Sequence, residues 1–158
     1  VWSSNKKTAM SENEKIGLKL IANNEKDFKV ISAYLQDSIV TIRDIVFLKK
    51  NKTFIMIVNR FMWEDVEKGI FRDNKRIRCA IKFETVLQVK KRNINQKNKN
   101  KPLECLALET LFTKEKNYYT SIFFAGDGII TIISEAIDVS LKDIGEPWKV
   151  KSSPVHKI

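Results

Sequence analysis

The stretch that decides the fold is RIRCAIKFETVLQVK, residues 76–90. Apolar residues occupy alternate positions through most of it, and the positions between them carry mainly arginine, lysine and glutamate. A period of two places these two sets of side chains on opposite faces of a β-strand. We therefore predict one long strand with a buried and a solvated face, as in an antiparallel sheet.

The segments on either side of this strand show apolar runs separated by short polar turns, which is the pattern of β-hairpins. Lysine, asparagine and glycine dominate the turns, and aromatic or β-branched residues dominate the runs. Besides 76–90, we predict strands at 17–22, 39–48, 53–63, 103–112, 118–125 and 129–143. Residues 134–144 also fit a helix, but their alternation favours a strand with a β-bulge near Ala136.

One segment has helical periodicity. Phe28, Ile31 and Leu35 follow one another at spacings of three and four, which places them on one face of a helix. An asparagine at position 23 or 24 is suited to cap the first turn, and acidic residues follow it. We predict a helix over about residues 25–37.

These elements predict an α+β domain with one helix in the N-terminal half and about seven mainly antiparallel strands. An open barrel, a sandwich and an arrangement like that of PH domains all remain compatible with the pattern. VFLKKNKTFIMIV, which begins at Val46, also resembles TLFTKEKNYYTSIFF, which begins at Thr110. This similarity indicates a fold built from two duplicated three-stranded meanders.

The length of 158 residues is that of one domain with a single core. We expect the globular part to span residues 16–150, with tails at 1–15 and 151–158. No apolar run approaches the roughly 20 residues of a membrane span, and no secretory leader is visible. Cys79 and Cys105 lie in apolar runs and are predicted to be reduced core thiols. We expect a cytoplasmic protein that makes no membrane contact.

The net charge of +10 is concentrated in one segment, KKRNINQKNKNK at 90–101, which carries no acidic residue. Without these six bases and Lys6 and Lys7, 21 of the 29 bases remain against 19 acids. We predict an exposed, mobile loop that is dispensable for folding. If nucleic acid binds, the candidate contacts are Lys90, Lys91, Arg92, Lys97, Lys99 and Lys101.

A second candidate site lies at the end of a predicted strand, in VNRFMWED at 58–65. Arg60 either pairs with a carboxylate of a neighbouring strand or joins Asn59, Trp63 and Glu64 in a surface for a partner or ligand. Arginine and tryptophan are enriched at protein interfaces, which supports the second interpretation. We favour the first, in which Arg60 pairs within the sheet and Trp63 covers an end of the core.

The sequence lacks the residue sets on which most catalytic sites are built. The one histidine, His156, lies near the C-terminal end, and no cysteine or histidine spacing fits a metal site. Asp127 stands between two glycines, as an acidic residue in a tight turn does. We therefore predict no catalytic residues, no metal and no cofactor.

Several motifs together resemble a small alphaproteobacterial family catalogued as domain of unknown function 2948. In chain order they are VISAYLQDSIV (30–40), NRFMWE (59–64), RIRCAIKFETVLQV (76–89), FAGDG (124–128), DIGEPW (143–148) and PVH (154–156). The resemblance spans about residues 16–156, and it implies a cytosolic bacterial protein of this length without an assigned activity.

Three functional hypotheses follow. The first is a non-enzymatic binding or adaptor domain with a protein partner, and the second is a nucleic-acid- or ribosome-associated factor that uses the segment 90–101. The third is an enzyme that uses Arg60, Glu64 and Asp127, which would require these side chains to converge in one cleft. The identity of the partner and the oligomeric state remain open.

Overall fold

The computed structural model describes residues 17–62, 75–145 and 148–149. Within these residues the chain forms one α-helix and an antiparallel sheet of eleven strands. Helix α1 spans Glu25–Leu35, and short 3₁₀ turns occupy Ile42–Asp44 and Lys49–Asn51. The strands are β1 Lys19–Ala22, β2 Ile39–Thr41, β3 Ile45–Leu48, β4 Thr53–Phe61, β5 Lys75–Phe83, β6 Val86–Arg92, β7 Pro102–Phe112, β8 Tyr118–Phe124, β9 Gly128–Ser134, β10 Val139–Asp143 and β11 Trp148–Lys149.

The strands follow one another across the sheet in the order β1-β10-β5-β4-β2-β7-β8-β9-β6. Strand β3 pairs with β4, and β11 pairs with β5. Because β6 directly follows β5 and β10 directly follows β9, both ends of this path return to the same region of the molecule. The sheet is therefore strongly curved, in the manner of an open barrel.

Two bent strands form the corner of this sheet. Strand β5 passes into β6 across Glu84 and Thr85, and β9 passes into β10 across residues 135–138. Strand β5 pairs with β10, and β6 pairs with β9. At the crossing, the Glu84 amide donates to the Asp138 carbonyl at 2.9 Å, and the Glu135 amide donates to the Thr85 carbonyl at 3.0 Å.

The α+β class and the antiparallel sheet predicted from the sequence are confirmed. The predicted number of about seven strands is wrong, because the 3₁₀ turn at Ile42–Asp44 and the corner divide the predicted strands. Residues 139–143 form a strand, but the four residues 135–138 separate it from β9 where one bulge was predicted. The helix ends at Leu35, two residues earlier than predicted.

The connectivity of the two halves is the one that a duplication predicts. Strands β3, β4 and β5 form a meander that continues into β6, and β7, β8 and β9 form a meander that continues into β10. Each continuing strand pairs with the last strand of the other meander.

A single core lies between the inner faces of the curved sheet and the helix. The helix buries Phe28, Ile31 and Leu35 against it, and the ring centroid of Phe28 lies 6.4 Å from that of Phe83. The side chain of Asn24 caps the helix by accepting from the Asp27 amide at 2.8 Å. The described part of the chain contains no helix that is both long and apolar enough to cross a membrane.

The helix is expected to contribute to stability mainly through this buried stripe. Phe28→Ala should lower the free energy of unfolding by about 3–5 kcal/mol, because it removes a fully buried ring from the core. Val30→Ala on the exposed side of the same helix should change it by less than about 0.5 kcal/mol. Urea denaturation of both variants measures the difference, and equal effects would show that the helix is not packed on the sheet.

Candidate functional site

Arg60 is fully buried and forms an ion pair with Asp143. Its Nε donates to Asp143 Oδ1 at 2.9 Å, and its Nη2 donates to Asp143 Oδ2 at 2.8 Å, so the pair is bidentate. The same carboxylate accepts from the Leu18 amide at 2.7 Å. A Cβ at Gly17 would lie only 2.5 Å from Asp143 Cβ, so glycine permits the close approach of β1. The Arg60 guanidinium also lies 5.6 Å from the ring centroid of Tyr34 on the helix.

This pair confirms one of the two interpretations of Arg60. The arginine does bind a carboxylate, but that carboxylate belongs to β10, which is separated from β4 by β5. Arg60 cannot belong to an exposed partner surface, because no part of its side chain is accessible. The other interpretation also relied on Trp63 and Glu64, which lie outside the described residues.

Asn59 lies on the opposite face of β4 from Arg60, so the two do not share a surface. Its backbone carbonyl accepts from Nη1 of Arg76 at 3.1 Å, and the same nitrogen donates to the Asp37 carbonyl at 3.2 Å. Burial lowers the pKa of Arg76, and the charges of Asp37 and Glu104 oppose this shift. Arg76 therefore joins the end of β4 to the turn after the helix. We assign these contacts to the fold.

The two cysteines are also part of the core. Both are buried, and neither forms a disulfide with a described residue, as predicted. Burial raises the pKa of the Cys105 thiol to about 12, so it is protonated throughout the physiological range. Among the described residues, no group of three histidine, cysteine, aspartate or glutamate side chains is arranged to hold a metal ion.

The six bases of the segment 90–101 do not form one patch. Strand β6 extends through Arg92, and its register pairs Lys91 with Ile130, whose side chain is fully buried. Lys91 therefore lies on the inner side of the sheet, at the end of the core. Lys90 and Arg92 lie on the outer side, opposite Thr131 and Ile129.

The rest of this segment is exposed, as predicted, except for Ile94, which provides an apolar anchor that the sequence analysis did not expect. Ile94 packs against the core, and a Cβ at Gly128 would lie 3.2 Å from its side chain. The Asn93 side-chain amide donates to the Asp127 carbonyl at 3.1 Å. The Arg43 amide donates to the Lys99 carbonyl at 3.0 Å. Contacts therefore hold both ends of the loop.

A cleft of about 370 Å³ lies where this loop meets the turn at Ile42–Asp44. Three exposed bases surround its opening, an amide lies beside them, and aliphatic side chains form its wall. The bases are Arg43, Lys91 and Lys99, the amide belongs to Gln96, and the aliphatic residues are Ile42, Ile45, Val46, Ile94 and Ile130. Among the described residues, no acidic side chain lines the cleft and none of the three bases forms an ion pair.

The basic side of the cleft combines predicted and unpredicted residues. Lys91 and Lys99 were among the predicted nucleic-acid contacts, whereas Lys97 and Lys101 do not line the cleft. Arg43 was not predicted as a site residue, because residues 39–48 were predicted to form one strand and not two strands separated by a turn. The signal for a turn was the sequence Thr41-Ile-Arg-Asp44, in which Thr41 Oγ1 donates to Asp44 Oδ2 at 3.0 Å. Ile94, the one apolar residue between Lys90 and Lys101, was the signal for a packed loop.

The fold and the cleft define a small α+β domain with a cationic site at one end of a curved antiparallel sheet. The family model described as "Protein of unknown function (DUF2948)" matches residues 18–156. The chain therefore belongs to the DUF2948 family, as its motifs indicated. No curated protein matches the chain.

The buried ion pair gives a direct prediction about stability. Arg60→Met should lower the free energy of unfolding by about 3–5 kcal/mol, because Asp143 is left buried without its cation. The double variant Arg60→Met, Asp143→Leu should recover part of this loss, because both charges are then absent. Urea denaturation of the two variants measures the recovery.

Lys82→Met is the matched control for Arg60→Met. Lys82 forms an ion pair with Glu84, and the two side chains are 47% and 34% exposed. Removing this cation should lower the free energy of unfolding by less than about 1 kcal/mol, because the pair is partly solvated. If Arg60→Met cost no more than Lys82→Met, the Arg60 pair would not be buried as described.

The packing of the loop is tested at its apolar anchor. Ile94→Ala should lower the free energy of unfolding by about 1–2 kcal/mol, because it exposes the apolar wall of the cleft. Ile144→Ala, at a residue that is 47% exposed, should change it by less than about 0.5 kcal/mol. If Ile94→Ala had no effect, the loop would be dispensable, as the sequence alone predicted.

Proposed function

We propose that this protein is a non-enzymatic binding domain whose cleft holds an anionic group of its partner. The observation that carries the proposal is the convergence of Arg43, Lys91 and Lys99 around one cleft that no acidic residue of the described ranges lines. These bases come from the turn after β2, from the end of β6 and from the loop before β7. Three cations held close together repel one another, so an anion bound among them is stabilised by all three.

Several features favour binding over catalysis at this cleft. Arginine and lysine supply hydrogen-bond donors and fixed positive charge, which suit the recognition of phosphate or carboxylate groups. The lining residues that the structure describes include no histidine, cysteine or acid that would transfer a proton at neutral pH. The aliphatic wall adds a surface for an apolar portion of the same partner.

The location of the cleft bears on the choice between the two partner classes. The expectation of a protein partner rested on Arg60 and its neighbours, and Arg60 is buried in an ion pair. The nucleic-acid alternative rested on the segment 90–101, two of whose bases line the cleft. The geometry therefore favours an anionic partner at this segment.

We further propose that the protein works in the cytoplasm of alphaproteobacteria. The proposal is supported by the motifs that resemble this family and by two core cysteines that form no disulfide among the described residues, which suits a reducing compartment.

The cleft can be tested with pyrophosphate as the probe, followed by amide chemical shifts in NMR. Titration should shift the amides of Arg43, Lys91, Ile94 and Lys99, and added salt should weaken the binding. The variant Lys91→Gln, Lys99→Gln should lower the affinity about tenfold or more, because two charged hydrogen-bond donors are lost.

The control is Lys114→Gln, Lys116→Asn in the turn between β7 and β8, which removes the same number of charges. Asparagine suits position 116, where φ is 65°. This turn adjoins Tyr118, and β8 carries the chain about 20 Å from there to Phe124 near the loop. Shifts elsewhere, or equal losses in both variants, would contradict the proposed site.

A further inference from the structure

The cleft is the first of three neighbouring hollows that follow the segment after β6. The second is lined by Asn93, Ile94, Asn95, Gly126 and Asp127, and it shares Ile94 with the cleft. The third shares Asn93 and Asp127 with the second. The three hollows therefore lie side by side, from the inner side of β6, across its end, to the outer side of the sheet, and we call this row of hollows the groove.

The third hollow adds an aromatic ring to this groove. Phe123 is half-buried on the outer face of β8, and β9 places Ile129 between it and Arg92 of β6. The register thus aligns a ring, an aliphatic side chain and an exposed guanidinium in one row across three strands. Lys90 lies one row away on the same face, opposite Thr131.

The groove therefore has bases at both ends and amides between them. Arg43, Lys91 and Lys99 line one end, and Arg92 lines the other beside Phe123. Asn93, Asn95 and Gln96 line the middle. Amide side chains offer a donor and an acceptor together, as the edges of nucleobases do.

We infer that the partner of this domain is single-stranded nucleic acid, with its backbone on the bases of the groove and a base stacked on Phe123. This inference rests on the proposed function, because the cleft is one end of the groove. Positive charge that follows a backbone and an aromatic ring that stacks with a base are the two components of single-strand recognition. Paired bases in a duplex are already stacked on one another, so the ring favours an unpaired strand.

One acidic residue, Asp127, lies in the groove, and removing its negative charge should strengthen the binding of a polyanion. Asp127 lines the second and third hollows, where its carboxylate repels a phosphate. Its φ of 65° lies in the left-handed region, which asparagine also adopts readily. Asp127→Asn therefore removes the charge with little change of backbone, and it should tighten binding severalfold.

The experiment is fluorescence anisotropy of a labelled short oligouridine, measured at several salt concentrations with the full chain. Phe123→Leu should weaken binding about tenfold, because it keeps an apolar side chain but removes the ring. Tyr119→Leu is the matched control, since Tyr119 lies on the same face of β8 but outside the three hollows, and it should bind as the wild type does. Circular dichroism melts establish that both variants are folded.

Pyrophosphate binding separates failure of this inference from failure of the proposed function. If pyrophosphate binds at the cleft but oligouridine binding is unaffected by Phe123→Leu, the inference is wrong and the cleft stands. If neither probe binds, both are wrong. Tighter binding of a duplex of the same length, of an acidic peptide or of anionic vesicles would also overturn the inference. Weaker oligouridine binding by Phe123→Leu and tighter binding by Asp127→Asn would together support it.

Discussion

The crossing of two bent strands is the constraint on which the rest of the structure depends. Each passes from one half of the sheet to the other at the same corner, where the reciprocal bonds of Glu84 with Asp138 and of Glu135 with Thr85 fix their relative position. Because of this crossing, β6 pairs with β9 and not with the strands of its own meander. That pairing brings the end of β6 to the end of the core and places the loop after it over the turn at Ile42–Asp44.

The buried pair of Arg60 and Asp143 joins strands in the other half of the sheet, around β5. It connects β4 with β10 across β5, and through the Leu18 amide it also includes the segment that enters β1. A buried pair specifies which groups must meet more than it adds to stability, because desolvation offsets much of the attraction between the charges. Arg60 thus has a structural role, and the proposed binding site is the cleft lined by Arg43, Lys91 and Lys99.

Local patterns predicted most of the secondary structure. The alternation in β5 identified its buried face, including Ile81 and Phe83, and the spacing of Phe28, Ile31 and Leu35 identified the helical face. The breaks at Ile42–Asp44 and at the corner were missed, because apolar residues continue on both sides of them. Their positions follow from pairing with distant strands, which a local pattern does not contain.

The candidate site was predicted only in part, for the same reason. The sequence indicated which bases are concentrated between 90 and 101, but alternation along β6 sends Lys91 to one side of the sheet and Arg92 to the other. Arg43 joins Lys91 and Lys99 only through the tertiary fold, and Phe123 shares a hollow with Arg92 only through the register of β9, whose Ile129 lies between them. The pairing of Arg60 with a carboxylate was one of the two interpretations that the sequence offered for an arginine at the end of a strand. That the carboxylate is Asp143 could not be predicted, because it depends on the order of the strands in the sheet.

The central claim is that the segment after β6 is a packed part of a binding groove. Amide hydrogen exchange, measured in the free protein and with oligouridine, tests this most directly. We expect the Arg43 amide, which donates to Lys99, to be protected in the free protein. Oligouridine should increase protection at 91–99 and 123–129 and leave the turn at 113–117 unchanged. Rapid exchange of the Arg43 amide, or added protection confined to other segments, would contradict the claim.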